Sequence, residues 1–338
     1  MTQSAAGPES GHPRVSIVVP AYNREDYLGV TLDSVLAQTT TSWELVVSDD
    51  GSTDGTRALA DRYAAADPRI TVVGGANAGV ATARNRGYAA TGGRSAYVIF
   101  LDSDDLWEPD TLAVLLDVLD RHPEYVSVYG IARCVDHRGE RIADDDLEER
   151  MRERMSIGRD GLVAVPAADP TTFAGLVFHN WVVTPGLQLT RREVLDGVSA
   201  FDPETDPADD WDYAIRVSRH GDIGFVDRTV LNWRRHEGTL TTTSRRQTRA
   251  HFRVRSKTLT DPDNTPEQRR LTRLAWRLMS RDMRRNARAL FRERQYARGG
   301  RQAVRAFEGV ARYWLAVAIS SRRRVRRPTS FAPSPSGR

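Results

Sequence analysis

The chain has 338 residues, 40% of them hydrophobic and 28% charged, with a formal net charge of +4 at pH 7. That length holds one large α/β domain with an appendage, or two modest domains. The single cysteine, Cys134, excludes an internal disulfide framework and any cysteine-only metal site, and no run approaches the roughly 20 apolar residues of a membrane span.

In chain order, residues 1–13 are rich in Gly, Pro and Ser and read as a loose leader without the basic start and apolar core of a secretory signal. With the lone cysteine, this points to a reducing, cytoplasmic location. Residues 15–19 form a continuous β-branched run, as expected for a parallel strand covered on both faces. Asn23 is positioned to cap a helix carrying Tyr27, Leu28, Leu32, Val35 and Leu36 at helical spacing. A strand over 44–47, a turn-rich segment over 49–55, a helix from Thr56 to about 65 and a strand over 70–73 follow. Residues 80–90 read as helix and 97–101 as strand, Pro109 opens a helix that runs to Arg121, and 125–129 is a further strand. Such alternation implies a Rossmann-like, doubly wound, mostly parallel sheet with ligands at the carboxyl ends of its strands.

From Asp136 to about Pro170 the pattern loosens into a charged segment. Order returns over 173–190, where His179, Trp181, Pro185 and Gln188 interrupt an apolar stretch, and a helix over 209–220 precedes a strand over 223–226. Beyond Thr241 the chain is arginine-rich and helical, with Leu271, Leu274, Ala275, Leu278 and Met279 on one face, and it ends in the run 322–327 and a Pro/Ser tail.

The chemistry gathers after three predicted strands. Pro20, Ala21, Tyr22 and Asn23 follow the first, Asp49, Asp50, Gly51 and Ser52 the second, and Asp102, Ser103, Asp104 and Asp105 the fourth. Three carboxylates in four residues at the mouth of a buried strand are costly unless a positive charge sits among them. A Mn²⁺ or Mg²⁺ ion carrying a diphosphate is an economical occupant, since both favour hard oxygen ligands; the alternative is a plain strand-to-helix turn with a capping carboxylate. Asp50 can accept the imide N–H of a pyrimidine while Tyr22 stacks on its face, or the two can be a turn residue and a packed rim aromatic.

Together the stretches VSIVVPAYNRE, LDSVLAQT, WELVVSDDGSTDGT, NAGVATARNRGYAATGG and YVIFLDSDDLWEPDTL resemble the inverting glycosyltransferases of family two, with the GT-A fold. The likeness is dense over 15–129 and thinner to about 241. It implies a nucleotide-sugar donor and a divalent cation, with Tyr22 and Asp50 on the base and Asp102, Asp104 and Asp105 on ribose and metal. Pro20, Asn23 and Ser103 fall within the donor-binding stretches, and Arg84 of "ARNRG" matches the family's basic residue near the donor-binding aspartates, with a surface helical arginine as the alternative. In the second half, Pro207-Ala208-Asp209-Asp210-Trp211-Asp212 resembles the family's EDxD segment, with Asp209 in the place usually taken by Glu. Asp210 then matches the catalytic aspartate that takes the acceptor hydroxyl's proton, and a helix N-cap is the simpler reading. Trp233-Arg234-Arg235-His236, followed by Gly238 and Thr239, resembles the segment that closes over the diphosphate, where His236 can complete a metal shell.

The expected organisation is a leader (1–13), a GT-A catalytic domain (14–241) and a helical, basic C-terminal extension (242–338). The catalytic domain divides into a nucleotide-sugar part (14–130) and an acceptor and base part (131–241). The family's processive synthases carry a QxxRW signature and membrane helices, both missing here, so a single transfer is expected, in cell-surface polysaccharide or glycoconjugate synthesis onto a saccharide or lipid-linked acceptor. A dehydrogenase is disfavoured because the glycine fingerprint is missing after the first strand, and a P-loop enzyme lacks its Gly-Lys-Ser/Thr signature. The rival from another class is a non-catalytic nucleotide-sugar-binding protein of the same fold, which the retained carboxylates disfavour. In the tail, Tyr313, Trp314 and Leu315 beside the arginine run read either as a solvated helix or as a contact with the anionic inner face of the cell membrane, and nucleic acid is not expected.

Overall fold

The computed structural model describes residues 12–198, 201–236, 245–292 and 311. The strands are β1 (Val15–Ala21), β2 (Trp43–Asp49), β3 (Ile70–Gly74), β4 (Tyr97–Phe100), β5 (Leu106–Trp107), β6 (Ser127–Val135), β7 (Met155–Ile157), β8 (Leu162–Ala164), β9 (Gln188–Arg191) and β10 (Ile223–Arg234). The helices are α1 (Leu28–Leu36), α2 (Thr56–Ala66), α3 (Val80–Ala89), α4 (Thr111–Arg121), α5 (Leu147–Arg152), α6 (Phe173–Phe178), α7 (Arg192–Gly197), α8 (Asp209–Val217), α9 (Arg245–Thr260) and α10 (Pro266–Arg292).

Among the described residues one sheet of eight strands runs in the order β3-β2-β1-β4-β9-β6-β10-β5. β3, β2, β1 and β4 are mutually parallel. Val15, Ile17, Val18 and Val19 are all fully buried, which is why β1 shows no polar alternation: helices cover both faces. α3 lies close on this sheet because Gly87 has no side chain, and a Cβ there would come 2.5 Å from Val18 Cγ1. The carboxyl ends of β1, β2 and β4 therefore share one edge, as expected for a doubly wound fold.

Three expectations are revised. Asn23 does not cap the first helix: it adopts φ 51°, a left-handed conformation that asparagine tolerates, and α1 begins after Tyr27. Its side chain instead accepts the Thr53 N–H at 2.8 Å, tying the loop after β1 to the one after β2. As expected, the sheet is mostly parallel; within it β9 is inserted antiparallel between β4 and β6, and β5 pairs antiparallel with β10. β10 continues to Arg234, well past residue 226, since bulges near Phe225 and Thr229 let the polar stretch Asp227-Arg228 pass without ending its pairing with β6.

The third revision concerns residues 136–170, which hold α5 and the β7–β8 hairpin. Arg154, 1% exposed, organises this segment. Its guanidinium donates to the carbonyls of Pro166 (2.6 Å) and Asp169 (2.9 Å) and to Thr171 Oγ1 (2.8 Å), and it lies 3.9 Å from the centroid of the Phe225 ring. A buried cation satisfied by carbonyls leaves little trace in hydrophobic periodicity.

The chain divides into two compact units, 1–254 and 255–338. In the second, α10 carries a buried stripe of Leu271, Thr272, Ala275 and Trp276, one residue off the expected face, with Leu274, Leu278 and Met279 half-buried. No helix among the described residues is long and apolar enough to cross a membrane. Most of the leader, Gly238 and Thr239, and the tail carrying Tyr313, Trp314, Leu315 and the run 322–327 lie outside the described residues.

Candidate active site

A cavity of about 450 Å³ opens at the shared strand edge. Its wall takes Pro20, Tyr22 and Arg24 from the loop after β1, Asp50 from the end of β2, and Arg84 from α3. Asp102, Ser103 and Asp104 from the turn after β4, and Asp206, Asp209 and Asp210 at the start of α8, face them. Among the candidate site residues, Asn23, Asp105 and His236 lie outside the wall, while Arg24, part of the VSIVVPAYNRE stretch, and Asp206 and Arg246 add to it. Arg246 forms an ion pair with Asp206 at the cavity rim.

Arg84 joins the two halves of the site. Its side chain is 5% exposed and donates Nη2 to Asp102 Oδ1 and Nη1 to Asp209 Oδ2, each at 2.6 Å, though 125 residues separate it from Asp209. Burial opposes its charge, but the carboxylates of Asp102 and Asp209 outweigh that and hold the guanidinium above its ordinary value. Asp102 Oδ2 also accepts from Thr184 Oγ1 at 3.3 Å.

The other two acids of the turn are handled differently. Asp104 Oδ2 faces Arg24 Nε at 3.2 Å and His236 Nε2 at 3.0 Å. Burial would raise this carboxyl, yet the His236 hydrogen bond and the Arg24 charge hold it below the ordinary range. His236 is oriented by Tyr27, whose ring stacks on it at 4.6 Å between centroids. Asp105 sits behind the wall, 1% exposed; Oδ1 accepts the Arg234 N–H at 3.0 Å, and Oδ2 has no hydrogen-bond partner among the described residues. Burial, then the charges of Asp104 and Asp102, push its carboxyl well up.

At the base end, Tyr22 stands 44% exposed at the mouth. Asp50 is buried, and both oxygens already accept hydrogen bonds, from the backbone N–H groups of Ala78 (3.1 Å) and Gly79 (2.8 Å) and from Arg86 Nη2 (3.3 Å). It therefore closes the turn ahead of α3 as well as lining the cavity.

Asp209, Asp210 and Asp212 occupy the first turn of α8, where the helix dipole favours negative charge. Burial raises the Asp209 carboxyl against the pull of Arg84. Asp210, half-buried, accepts the Trp211 N–H at 2.6 Å and faces Asn180 Nδ2 at 3.5 Å. Burial and then the neighbouring Asp209 charge push it up to about 8. A carboxyl so placed can exchange a proton near neutrality.

The donors around Asp104, carboxylate oxygens with one imidazole nitrogen and an unpartnered oxygen on Asp105 behind, fit a hard divalent cation. Among the described residues no three His, Cys, Asp or Glu side chains form a ready-made metal site.

The sequence model described as Glycosyl transferase family 2 matches residues 16–196. The putative teichuronic acid biosynthesis glycosyltransferase TuaG of Bacillus subtilis (strain 168) is 45% identical over 108 residues, 32% of this chain and 42% of that protein. The chondroitin synthase of Pasteurella multocida (strain Pm70) is 28% identical over 221 residues, 65% of this chain and 20% of that protein. The chain thus spans less than half the length of these relatives. Among solved structures, Staphylococcus aureus TarS 1–349 in complex with UDP-GlcNAc superposes with a TM-score of 0.59 at 19% identity, over 79% of this chain and 72% of that one. The mannosyltransferase PcManGT from Pyrobaculum calidifontis, in complex with GDP-Man and Mn²⁺, gives 0.56 at 23% identity, over 93% and 88%. These likenesses establish the shared GT-A fold. Since the family match runs from β1 through the acidic turn to α7 and takes in more than half of the chain, the protein belongs to glycosyl transferase family 2.

Proposed function

We propose that the chain moves a sugar from a nucleoside-diphosphate donor to an acceptor hydroxyl with inversion, in a single metal-dependent transfer. The observation that carries this reading is the Arg84 bridge, which sets the acidic turn and the α8 acids on one cavity. Tyr22 stacks on the base beside Asp50 and Pro20, and Asp102 and Ser103 hold the ribose side of the donor. Asp104, with Asp102, Asp105 and His236 about it, would hold a Mn²⁺ or Mg²⁺ ion, which when bound would supply positive charge against the departing diphosphate. Asp210 takes the proton of the attacking hydroxyl, and Asp209, tied to Arg84, orients the start of α8 and biases Asp210 toward protonation. The solved relatives bound to UDP-GlcNAc and to GDP-Man with Mn²⁺ support a nucleotide-sugar donor and a divalent ion. Relatives named for teichuronic acid and chondroitin support work on a cell-surface polysaccharide. The arginine-rich tail is read, from its sequence, as a contact with an anionic membrane surface.

Thermal shift tests this reading. UDP-GlcNAc or GDP-Man should raise the melting temperature only with Mn²⁺ present, since a ligand at about 100 times its Kd stabilises by about 2.7 kcal/mol. Failure of Mn²⁺ to enhance any donor's effect, with full turnover in excess EDTA, overturns the metal role. Silence toward all nucleotide sugars overturns the donor class.

A further inference from the structure

Of the guanidiniums around the turn after β4, Arg234 is buried and donates Nε to the Asp104 carbonyl at 2.9 Å, while the two that pair with its carboxylates are held in opposite ways. Arg84 is locked, 5% exposed and bonded to two carboxylates. Arg24 keeps 23% of its side chain exposed and, among the described residues, makes one ion pair, to Asp104. Its other contacts are loose ones within its own loop, Nη1 donating to the carbonyls of Asn23 (3.1 Å) and Tyr22 (3.5 Å). Its backbone is fixed, since the Arg24 N–H donates to Thr56 Oγ1 at 2.6 Å and the preceding Asn23 is pinned to Thr53. The side chain is therefore free to exchange partners about an anchored Cα. It also lines the cavity next to Asp104, on the oxygen that faces His236.

We propose that Arg24 is an internal counter-ion that occupies the cation position on Asp104 and passes to the donor's diphosphate when divalent ion and donor arrive together. This rests on the metal-dependent reading above and adds to it a positioning residue. A divalent ion approaching Asp104 alone meets a guanidinium already on the same oxygen, and like charges there repel. A diphosphate removes that conflict, because its oxygens match the planar, forked guanidinium better than a single carboxylate contact does. Metal and donor then favour one another's binding, and the coupling is reciprocal. Without either, Arg24 keeps the half-buried Asp104 carboxylate paired.

The test is Mn²⁺ binding to the full-length protein, followed by electron paramagnetic resonance, alone and with UDP or GDP. Wild type, Arg24→Gln, Arg24→Lys and Asp104→Asn are compared, with melting curves to confirm folding. Arg24→Gln should bind Mn²⁺ alone on the order of tenfold more tightly, and the gain in Mn²⁺ affinity from the nucleoside diphosphate should shrink by a similar factor. Arg24→Lys keeps the charge and should stay near wild type on the first measure. Unchanged or weaker Mn²⁺ affinity in Arg24→Gln, with undiminished coupling, overturns the counter-ion role while leaving the metal site standing. A wild type that binds no Mn²⁺ with or without nucleotide, like Asp104→Asn, overturns the metal reading and this inference together.

Discussion

β1 to β4 come from a stretch that alternates strand and helix, each strand pairing in parallel with an earlier one, whereas β6, β9 and β10 are assembled out of order, with the latest-but-one strand in the middle. The first region places its functional side chains at strand ends, where backbone pairing fixes them. The second places Asp209 and Asp210 on the first turn of a helix, held by a bond to Arg84 in the first region and by the aromatic floor of Phe100, Phe201 and Tyr213, whose rings meet at 4.7–6.0 Å. In the first region local pattern does the positioning; in the second, distant contacts do. On the proposed reading, the donor would therefore sit on a rigid edge and the acceptor against an element whose orientation depends on its partners.

The division of labour can be broken from either side. Asp104→Asn should abolish turnover and most Mn²⁺-dependent donor binding while leaving the melting temperature close to wild type; retained donor binding would place the metal elsewhere. Asp210→Asn keeps size and helix-start hydrogen bonding but removes the proton acceptor, which typically costs 10²–10⁴-fold in kcat. Donor affinity should hardly change, and if turnover survives, Asp209 or Asp212 becomes the candidate base. Wild-type kcat/KM should rise toward about pH 8, because the base acts deprotonated and its carboxyl sits at about 8.

Stability should move the opposite way. The folded-state value lies above the ordinary 3.8, so the folded chain holds the extra proton; this contribution is full below about pH 4 and is lost as pH rises through 8. Asp210→Asn should remove that part of the decline in melting temperature, and an unaltered pH–melting profile would show the carboxyl to be ionised throughout.

The joint itself is Arg84. Arg84→Met leaves Asp102 and Asp209 without their shared cation and should cost about 3–5 kcal/mol by urea unfolding, with loss of activity in both halves. If only acceptor-side kinetics suffer, the acidic turn is self-supporting and the two regions are less dependent than the bridge suggests. The smallest expected effect lies outside both regions. Deleting residues 311–338 should leave turnover on a soluble acceptor unchanged but release the protein from anionic liposomes, as raised salt should, each arginine contributing about 1 kcal/mol at such a surface. A full-length protein that ignores those liposomes at low salt rules the membrane contact out.

How much was legible in the sequence follows the same line. Val15 to Phe100 could be read because buried parallel strands and amphipathic helices write their period directly, and the acids after β1, β2 and β4 fall where such strands must end. β9 could not be recognised as an antiparallel insertion, since a four-residue buried strand looks the same in either direction. Asn23 reads as a cap in sequence, yet its side chain serves a neighbouring loop, and β10 reads as ending at 226 because bulges break its alternation. Arg24 lies within the VSIVVPAYNRE stretch and Arg246 in no motif; neither has a role legible in sequence, and both gain meaning only from the carboxylates that the fold brings beside them. The Arg154 cradle escaped notice for the same reason.

The place of β9 also sets a schedule for folding. β3, β2, β1 and β4 are complete once residue 100 has been made, but the free edge of β4 is closed only by Gln188–Arg191, nearly ninety residues later. Until then a growing chain presents an unpaired parallel edge of Tyr97, Val98 and Ile99, an invitation to wrong partners, and the long loop that must close is slow to form. Pulse-labelled hydrogen exchange during refolding should show amides of β1 and β2 protected before those shared by β4, β9 and β6. Simultaneous protection would mean that the sheet condenses as a whole.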